Sequence, residues 1–516
     1  MRPTVTGSVG YGEPVNRRRS KILIRMSGVV VAAVMLVAAC GTSGGVSIGR
    51  SDNLGTEATD QTIDTSGSST EETVDTTGGS TGTTIPGMME LPTETIPLDG
   101  AFPYDANKPP QPFDGLMVAT IQDLEIWWAE QMPQVFGFDY IPLEDVFPAY
   151  PEKNEYPDGC FSTYSEIEGN GFYCPPADYI AWDDVGYALN GWNNHGSGAI
   201  AALMSHEWGH AIQARTGVFD AVPEVPTPVV ELQADCYSGA WYGHIARGES
   251  DVLTFADADI RSGIIDTVLS ADPVGYTPSD PGAHGAGFDR VGAFQDGFNL
   301  GPQQCSTYVD NPPPITEIGF TDLDLATETP GNLPYADIIR AIPDDLNFFW
   351  QQTLPDDFST LRVQGWSDTP AGCDSLDAEA VGNSLAVYCA ASGAVLINEP
   401  ASQSIVDDFG DFSLGFVLAE AWAEAAQTAV ESSFSGEQRV LYNDCFVGVW
   451  AGSLPLMSSD ERIAISPGDL DEAVATALLL ADDNADDDIN GDAFAKIDAF
   501  RTGVLGGISG CNDYFS

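Results

Sequence analysis

Basic residues are scarce in this chain: 19 lysines and arginines stand against 77 aspartates and glutamates in 516 residues, a formal charge of −58. A surface this negative repels phosphate backbones and anionic bilayers, which excludes nucleic acid as a partner. Solvated acidic faces account for the excess, with salt adaptation of the source as a second reading. Histidine is scarcer still, with five in all. Aromatic residues are missing between Gly41 and Thr95, where the chain is mostly Ser, Thr, Gly, Asp and Glu. Such a segment buries no core, so residues 40–105 are expected to form a disordered tether spanning on the order of 40 Å. The apolar stretch SGVVVAAVMLVAA near the N-terminus is too short for a membrane-spanning helix.

What precedes that stretch is positive: Arg2, Arg17, Arg18, Arg19, Lys21 and Arg25, against one acid, Glu13. Charge followed by a short apolar run reads as an export signal over residues 1–39. The run ends VAAC-G, which resembles the lipobox of bacterial lipoproteins. That resemblance implies a lipidated Cys40 as the new N-terminus and an extracytoplasmic protein anchored to the cell membrane. An ordinary secretory signal cut nearby is the alternative. Eight further cysteines, an even number, suggest disulfides in an exported chain.

The chain also repeats itself. MSHEWGHAIQ at 204–213 lines up with LAEAWAEAAQ at 418–427, so that Trp208 matches Trp422 and Gln213 matches Gln427. ELQADCYSGAWYG at 231–243 lines up with VLYNDCFVGVWAG at 440–452. FDRVGAFQDGFNLGPQQCSTY at 288–308 lines up with FAKIDAFRTGVLGGISGCNDY at 494–514. Two diverged copies of one domain are therefore expected, over 112–310 and 333–516, with the second packing on the first. Each copy holds four cysteines in the same order, which allows three pairings per copy. The preferred set joins a short and a long span in each: Cys160–Cys174, Cys236–Cys305, Cys373–Cys389 and Cys445–Cys511. Short spans close easily, and each long bridge would staple the last segment to a central helix for about 3 to 4 kcal/mol.

Two of the five histidines stand in HEWGH, His206 to His210. Around them Ile200, Leu203, Met204, Ala211 and Ile212 recur at helical spacing, and Thr216-Gly217 supplies a stop. Residues four apart share a helix face, so His206 and His210 can grip one Zn²⁺ with Glu207 beside the open position. A catalytic zinc takes three protein ligands. TPVVELQADCYSGAWYGHIARG predicts a second helix, with Thr227 as N-cap, Pro228 in the first turn and Gly248 at the end. It offers Glu231 as the third ligand. Asp235, four residues on, can accept a hydrogen bond from a ligand histidine. Cys236 is disfavoured as a ligand, because Cys445 persists where the histidines do not. His244 falls off the zinc face. His195 is placed in the loop entering the first helix, and Arg290 is read as the partner of an acid. Trp127, Trp128, Trp208, Trp241 and Trp450 are assigned to the core.

HEWGH followed about twenty residues later by E-x-x-x-D resembles the gluzincin arrangement of thermolysin-type metallopeptidases. The wording HEWGHAIQ…ELQADCYSGAW is more similar still to the bacterial putative neutral zinc metallopeptidase family. Its downstream H-G segment ending in cysteine is matched by HGAGFDRVGAFQDGFNLGPQQCSTY. The resemblance covers about 160–308. It implies zinc at His206, His210 and Glu231, Glu207 as general base and, by analogy to gluzincins, His284 at the oxyanion. The long tether and the second copy depart from the family.

In the second copy Glu420, Ala421 and Glu424 replace His206, Glu207 and His210, Val440 replaces Glu231, and Asn490 stands near the His284 position. Asp444, Cys445, Gly448, Trp450, Phe500, Gly503 and Cys511 keep their types. One zinc, in the first copy alone, is expected. A Ca²⁺ site from Glu420, Glu424 and ADDNADDDINGD lacks the full EF-hand pattern, and a solvated acidic loop fits that run better. The expected fold is α+β, mainly helical, with two tandem zincin-like domains. The expected function is a zinc endopeptidase acting on a peptide or protein substrate. The alternative is a non-catalytic lipoprotein binding a peptide or protein partner, with a structural zinc. Glu207 favours the enzyme, since a structural site has no use for a general base.

Overall fold

A computed structural model describes residues 108–516 apart from 222–224, 281, 323, 328, 369, 371, 374–375, 377, 383, 457–461 and 482–491. The export signal, Cys40, the tether, Asn490 and most of the acidic run ADDNADDDINGD lie outside the described residues. Among those described, no helix is long and apolar enough to cross a membrane.

The fold is mainly helical with two small sheets, an α+β arrangement. The first half runs from α1 (Asp114–Val135) through strands β1 (Asp145–Ala149), β2 (Gly171–Cys174) and β3 (Tyr179–Asp183). Five main helices follow: α2 (Tyr187–His195), α3 (Ser197–Thr216), α4 (Thr227–Ala246), α5 (Asp257–Leu269) and α6 (Gly287–Leu300). The second half gives the same order: α7 (Tyr335–Thr353), β4 (Arg362–Trp366), β5 (Ala386–Cys389), β6 (Ala394–Asn398), α8 (Glu399–Phe409), α9 (Asp411–Ala429), α10 (Glu437–Gly452), α11 (Asp469–Leu480) and α12 (Ala493–Tyr514). Both sheets share one topology. In the first, β1 runs parallel to β3 and β2 antiparallel to it, with Val146 opposite Ile180 and Phe172 opposite Ala181. In the second, β4 and β5 flank β6 in the same senses, with Val363 opposite Val395 and Val387 opposite Leu396.

Helix α3 is buried on every face from Ser197 to Gln213, with only His206 partly exposed. A helix apolar all round belongs inside a core. It ends where expected, at Gly217 in the left-handed region. Helix α4 begins at Thr227 with Pro226 as its cap, one residue before the position the Thr227 cap implied. A proline cap has no side-chain acceptor, and Pro228 in the first turn sets the start instead. His195 ends α2 rather than lying in a loop. The five tryptophans assigned to the core are buried.

Helix pairs α4–α6 and α10–α12 touch at backbone contact. A Cβ on Gly239 would lie 1.9 Å from the Phe294 carbonyl oxygen, and one on Gly297 1.8 Å from that of Cys236. At the aligned positions, a Cβ on Gly448 would lie 2.0 Å from the Phe500 oxygen and one on Gly503 1.9 Å from that of Cys445. Only glycine allows backbones so close. The long disulfide Cys236–Cys305 joins α4 to the short helix Pro302–Cys305 that follows α6, and Cys445–Cys511 joins α10 to α12, while Cys160–Cys174 and Cys373–Cys389 brace the hairpins. Trp241 donates to Asp123 at 2.7 Å, and its aligned residue Trp450 to Asp345 at 2.8 Å.

The halves meet where α5 and α6 face α11 and α12. Phe288 packs edge-on to Phe500, Phe298 lies 4.6 Å from Phe494, and Arg501 stacks on Phe288 at 4.4 Å. Gln295 donates to the Phe494 carbonyl at 3.0 Å, and Arg261 to that of Leu478 at 2.6 Å. One hydrophobic core runs through both halves. Gly239→Ala and Gly448→Ala are each expected to lower Tm, at an overpacking cost of about 1–3 kcal/mol. Gly506→Ala, whose Cβ meets nothing within 4 Å, should not lower it; thermal unfolding of the three variants checks both statements.

Candidate metal centre

Helices α3 and α4 cross beside Gly209, where a Cβ would sit 2.8 Å from Ala234 Cα. This close approach brings Glu231 under the two histidines. The rings of His206 and His210 lie 4.8 Å apart and nearly perpendicular. Nε2 of each is 3.4 Å from Glu231 Oε2. Neither carboxylate oxygen of Glu231 has a hydrogen-bond partner, although the residue is 1% exposed. An unsatisfied carboxylate at such depth is costly.

The far nitrogens are held in turn. His206 Nδ1 lies 2.8 Å from Asp235 Oδ1, and His210 Nδ1 lies 2.8 Å from Gln213 Oε1. Acceptors at both Nδ1 atoms favour the proton there and leave Nε2 with a lone pair. Gln213 is fixed by donating to the Val230 carbonyl at 2.6 Å and to Gln233 at 3.1 Å. Two imidazole nitrogens and a carboxylate are the donor set of a zinc site, so these residues fit Zn²⁺. Against the cost of burial, the His210 and His206 rings, when protonated and carrying no metal, hold the Glu231 carboxyl well below its usual range. Glu207 is buried on the same helix, and its Oε2 accepts the Tyr173 amide of β2 at 2.7 Å. Burial pushes its carboxyl up.

Arg290 completes the cluster. It donates to both oxygens of Asp235, at 2.8 and 2.9 Å, and to the Ser270 carbonyl. Asp235 therefore serves His206 and Arg290 together. Burial alone would raise its carboxyl, but the Arg290 and His206 charges hold it below the ordinary range. His284 stands with its ring Nδ1 3.3 Å from Asp272 Oδ1, and its amide donates to Asp272 Oδ2 at 2.6 Å. His244 packs 5.9 Å from Trp127 and faces Glu249, away from the site. His195 is not among the converging groups.

The second half shows what the fold keeps without those ligands. Lys496, aligned with Arg290, reaches Asp444 at 2.8 Å and Glu420 at 3.3 Å. Burial works against its ammonium, and the two carboxylates outweigh that cost. Arg439 pairs with Glu424 at 2.7 Å. Both replacement carboxylates thus have a basic partner, with Glu420 sharing Lys496 with Asp444. Gln427, aligned with Gln213, donates to the Arg439 carbonyl at 2.8 Å and to Asn443 at 2.7 Å. Its retention follows from tying two helices together. Sequence reasoning paired Arg290 with an acid, which the structure identifies as Asp235, and missed Gln213 and Asp272. The persistence of Gln427 was the available signal for Gln213.

Residues 157–308 match the family model of the putative neutral zinc metallopeptidases. The chain is similar to the uncharacterized protein Rv2575 of Mycobacterium tuberculosis, at 27% identity over 173 residues, covering 29% of this chain and 58% of that one. It is also similar to the uncharacterized protein YpfJ of Escherichia coli, at 29% identity over 158 residues, 27% of this chain and 53% of the other. The chain spans about half the length of the curated relatives it matches. No solved structure matches it significantly.

Asp235→Asn is expected to weaken zinc binding about 10–100-fold, read by competition with a chromogenic chelator. Asp444→Asn should leave zinc affinity unchanged and lower Tm, because it strips Lys496 of its main partner.

Proposed function

We propose that the first half is a zinc-dependent peptidase acting on peptide or protein substrates. The observation that carries the reading is the convergence of His206, His210 and Glu231, with Glu207 buried beside them. The match of residues 157–308 to a zinc metallopeptidase family supports it. When bound, zinc supplies Lewis acidity, making water a nucleophile near neutral pH and polarising the carbonyl.

The side chains divide the remaining work. Glu207 takes a proton from the attacking water and returns it to the leaving amine. The Tyr173 amide steadies one of its oxygens, and burial lifts its carboxyl toward the range where both transfers are efficient. In its doubly protonated form His284, held at Nδ1 by Asp272, donates through Nε2 to the oxygen on which negative charge develops. Asp235 and Gln213 hold the two ligand rings in place. The second half is read as a degenerate, non-catalytic copy whose carboxylates are paired internally. The VAAC-G segment supports a lipid anchor outside the cytoplasmic membrane, and four disulfides suit an oxidising compartment.

Glu207→Gln is expected to retain zinc and lose roughly 10²–10⁴ of turnover, measured as chelator-sensitive cleavage of a denatured protein mixture beside metal content. Unchanged turnover with full zinc would reject the general-base role. No cleavage by the parent at full zinc occupancy would favour a binding protein with a structural metal.

A further inference from the structure

Among the described residues a second group brings metal-binding atoms together. One oxygen each of Asp411, Asp469 and Glu472 lies within 4.8 Å of the others. Asp411 opens α9, and Asp469 and Glu472 stand in the first turn of α11. Their hydrogen bonds position them without balancing their charge. Asp411 Oδ2 accepts the Leu333 amide at 2.9 Å, and Glu472 Oε2 accepts the Phe412 amide at 2.7 Å. Asp469 accepts the amide and the hydroxyl of Ser466, both at 2.7 Å. No lysine, arginine or histidine among the described residues forms an ion pair with any of the three.

The decisive atom is Asp411 Oδ1. The residue is 5% exposed, Oδ2 is already engaged, and Oδ1 is buried with no hydrogen-bond partner. Glu231 carries the same signature in the first site. Two helix N-termini offset about one unit of charge between them, which leaves about two of the three carboxylate charges in excess. Burial and mutual repulsion push the Asp469 and Glu472 carboxyls up, and burial pushes Asp411 up to about 6.

We propose that Asp411, Asp469 and Glu472 hold one Ca²⁺ ion. The donors are all oxygen, which selects a hard cation over zinc. Ca²⁺ holds its ligands at about 2.3–2.6 Å in adaptable geometry, so oxygens up to about 5 Å apart can share one ion. Mg²⁺ needs shorter, near-octahedral bonds. This site differs from the Glu420–Glu424 reading, whose carboxylates are taken by Lys496 and Arg439. The ion ties the start of α9, the start of α11 and the segment at Leu333 that leads into the second half. Asp471, beside Glu472, accepts the Phe288 amide at 2.8 Å, so the ion also anchors α11 where it grips α6. The role is structural and independent of the peptidase reading.

The test uses the full zinc-loaded chain, depleted of Ca²⁺ and then titrated with it. At roughly a hundredfold excess over the dissociation constant, Tm should rise by about 3 °C. Asp469→Asn combined with Glu472→Gln should abolish the rise. Asp407→Asn combined with Asp408→Asn, on the exposed face of α8, should preserve it. Tb³⁺ provides a second readout on the parent, which decides the matter should the double variant not fold. Trp450 stacks on Phe412 with ring centroids 5.3 Å apart, so tryptophan excitation should produce Tb³⁺ emission that Ca²⁺ reverses. The proposal is overturned by a Tm indifferent to Ca²⁺, by a rise that survives in the double variant, or by the absence of Ca²⁺-reversible emission. A double variant more stable than a Ca²⁺-indifferent parent would show that the three carboxyls merely share protons.

Discussion

Each half buries a carboxylate on its central helix, and the last helix of that half brings the cation it requires. Asp235 faces Arg290, and Asp444 faces Lys496. Removing one member of such a pair leaves the other charged in a dry interior, a loss of about 3–5 kcal/mol. The pair is therefore fixed by the fold, whatever else the half does. In the first half the same carboxylate also reaches His206, so the candidate metal centre is built on an interaction that the second half keeps where those histidines are absent. In the second half Glu420 stands at the ring's position, and Lys496 reaches it as well. One arrangement thus carries a ligand set in one place and a closed salt-bridge cluster in the other.

That pairing depends on the approach of backbones. Arg290 meets Asp235 because α6 lies against α4 with Gly239 and Gly297 at the contact, and the long disulfide ties α4 to the segment that follows α6. Glu231 meets the histidines because Gly209 admits α4 to α3. At the position aligned with Gly209 the second half has Ala423, a Cβ that the first half's spacing would not admit. The glycines at the α4–α6 and α10–α12 contacts therefore belong to the fold, and Gly209 belongs to the site.

The helical framework of the centre was readable because spacing of three and four places residues on one face. That logic put His206, Glu207 and His210 on one helix and Glu231 with Asp235 on the next. The cysteine order within the repeat left three pairings per copy, and the structure shows the one that joins a short and a long span. Contacts across helices were less legible. Arg290 and Asp235 are 55 positions apart, and nothing in local spacing joins them. Asp272 lies in an irregular segment that carries no period at all. The carboxylates of Asp411, Asp469 and Glu472 were hidden by abundance, since 77 acids make any three of them unremarkable in sequence. Local end signals misplaced Thr227 by one residue and put His195 in a loop, because helix limits are set by tertiary packing as much as by caps.

The continuous core has a further meaning. Two like-ordered halves meet through Phe288, Phe500, Arg501 and their neighbours as two subunits of a dimer would, yet both lie on one polypeptide. A dimer falls apart on dilution; a covalent tether keeps the second partner at an effective concentration that dilution does not change. The half without histidines is in this sense a permanently attached companion, and the half with them never faces the solvent alone.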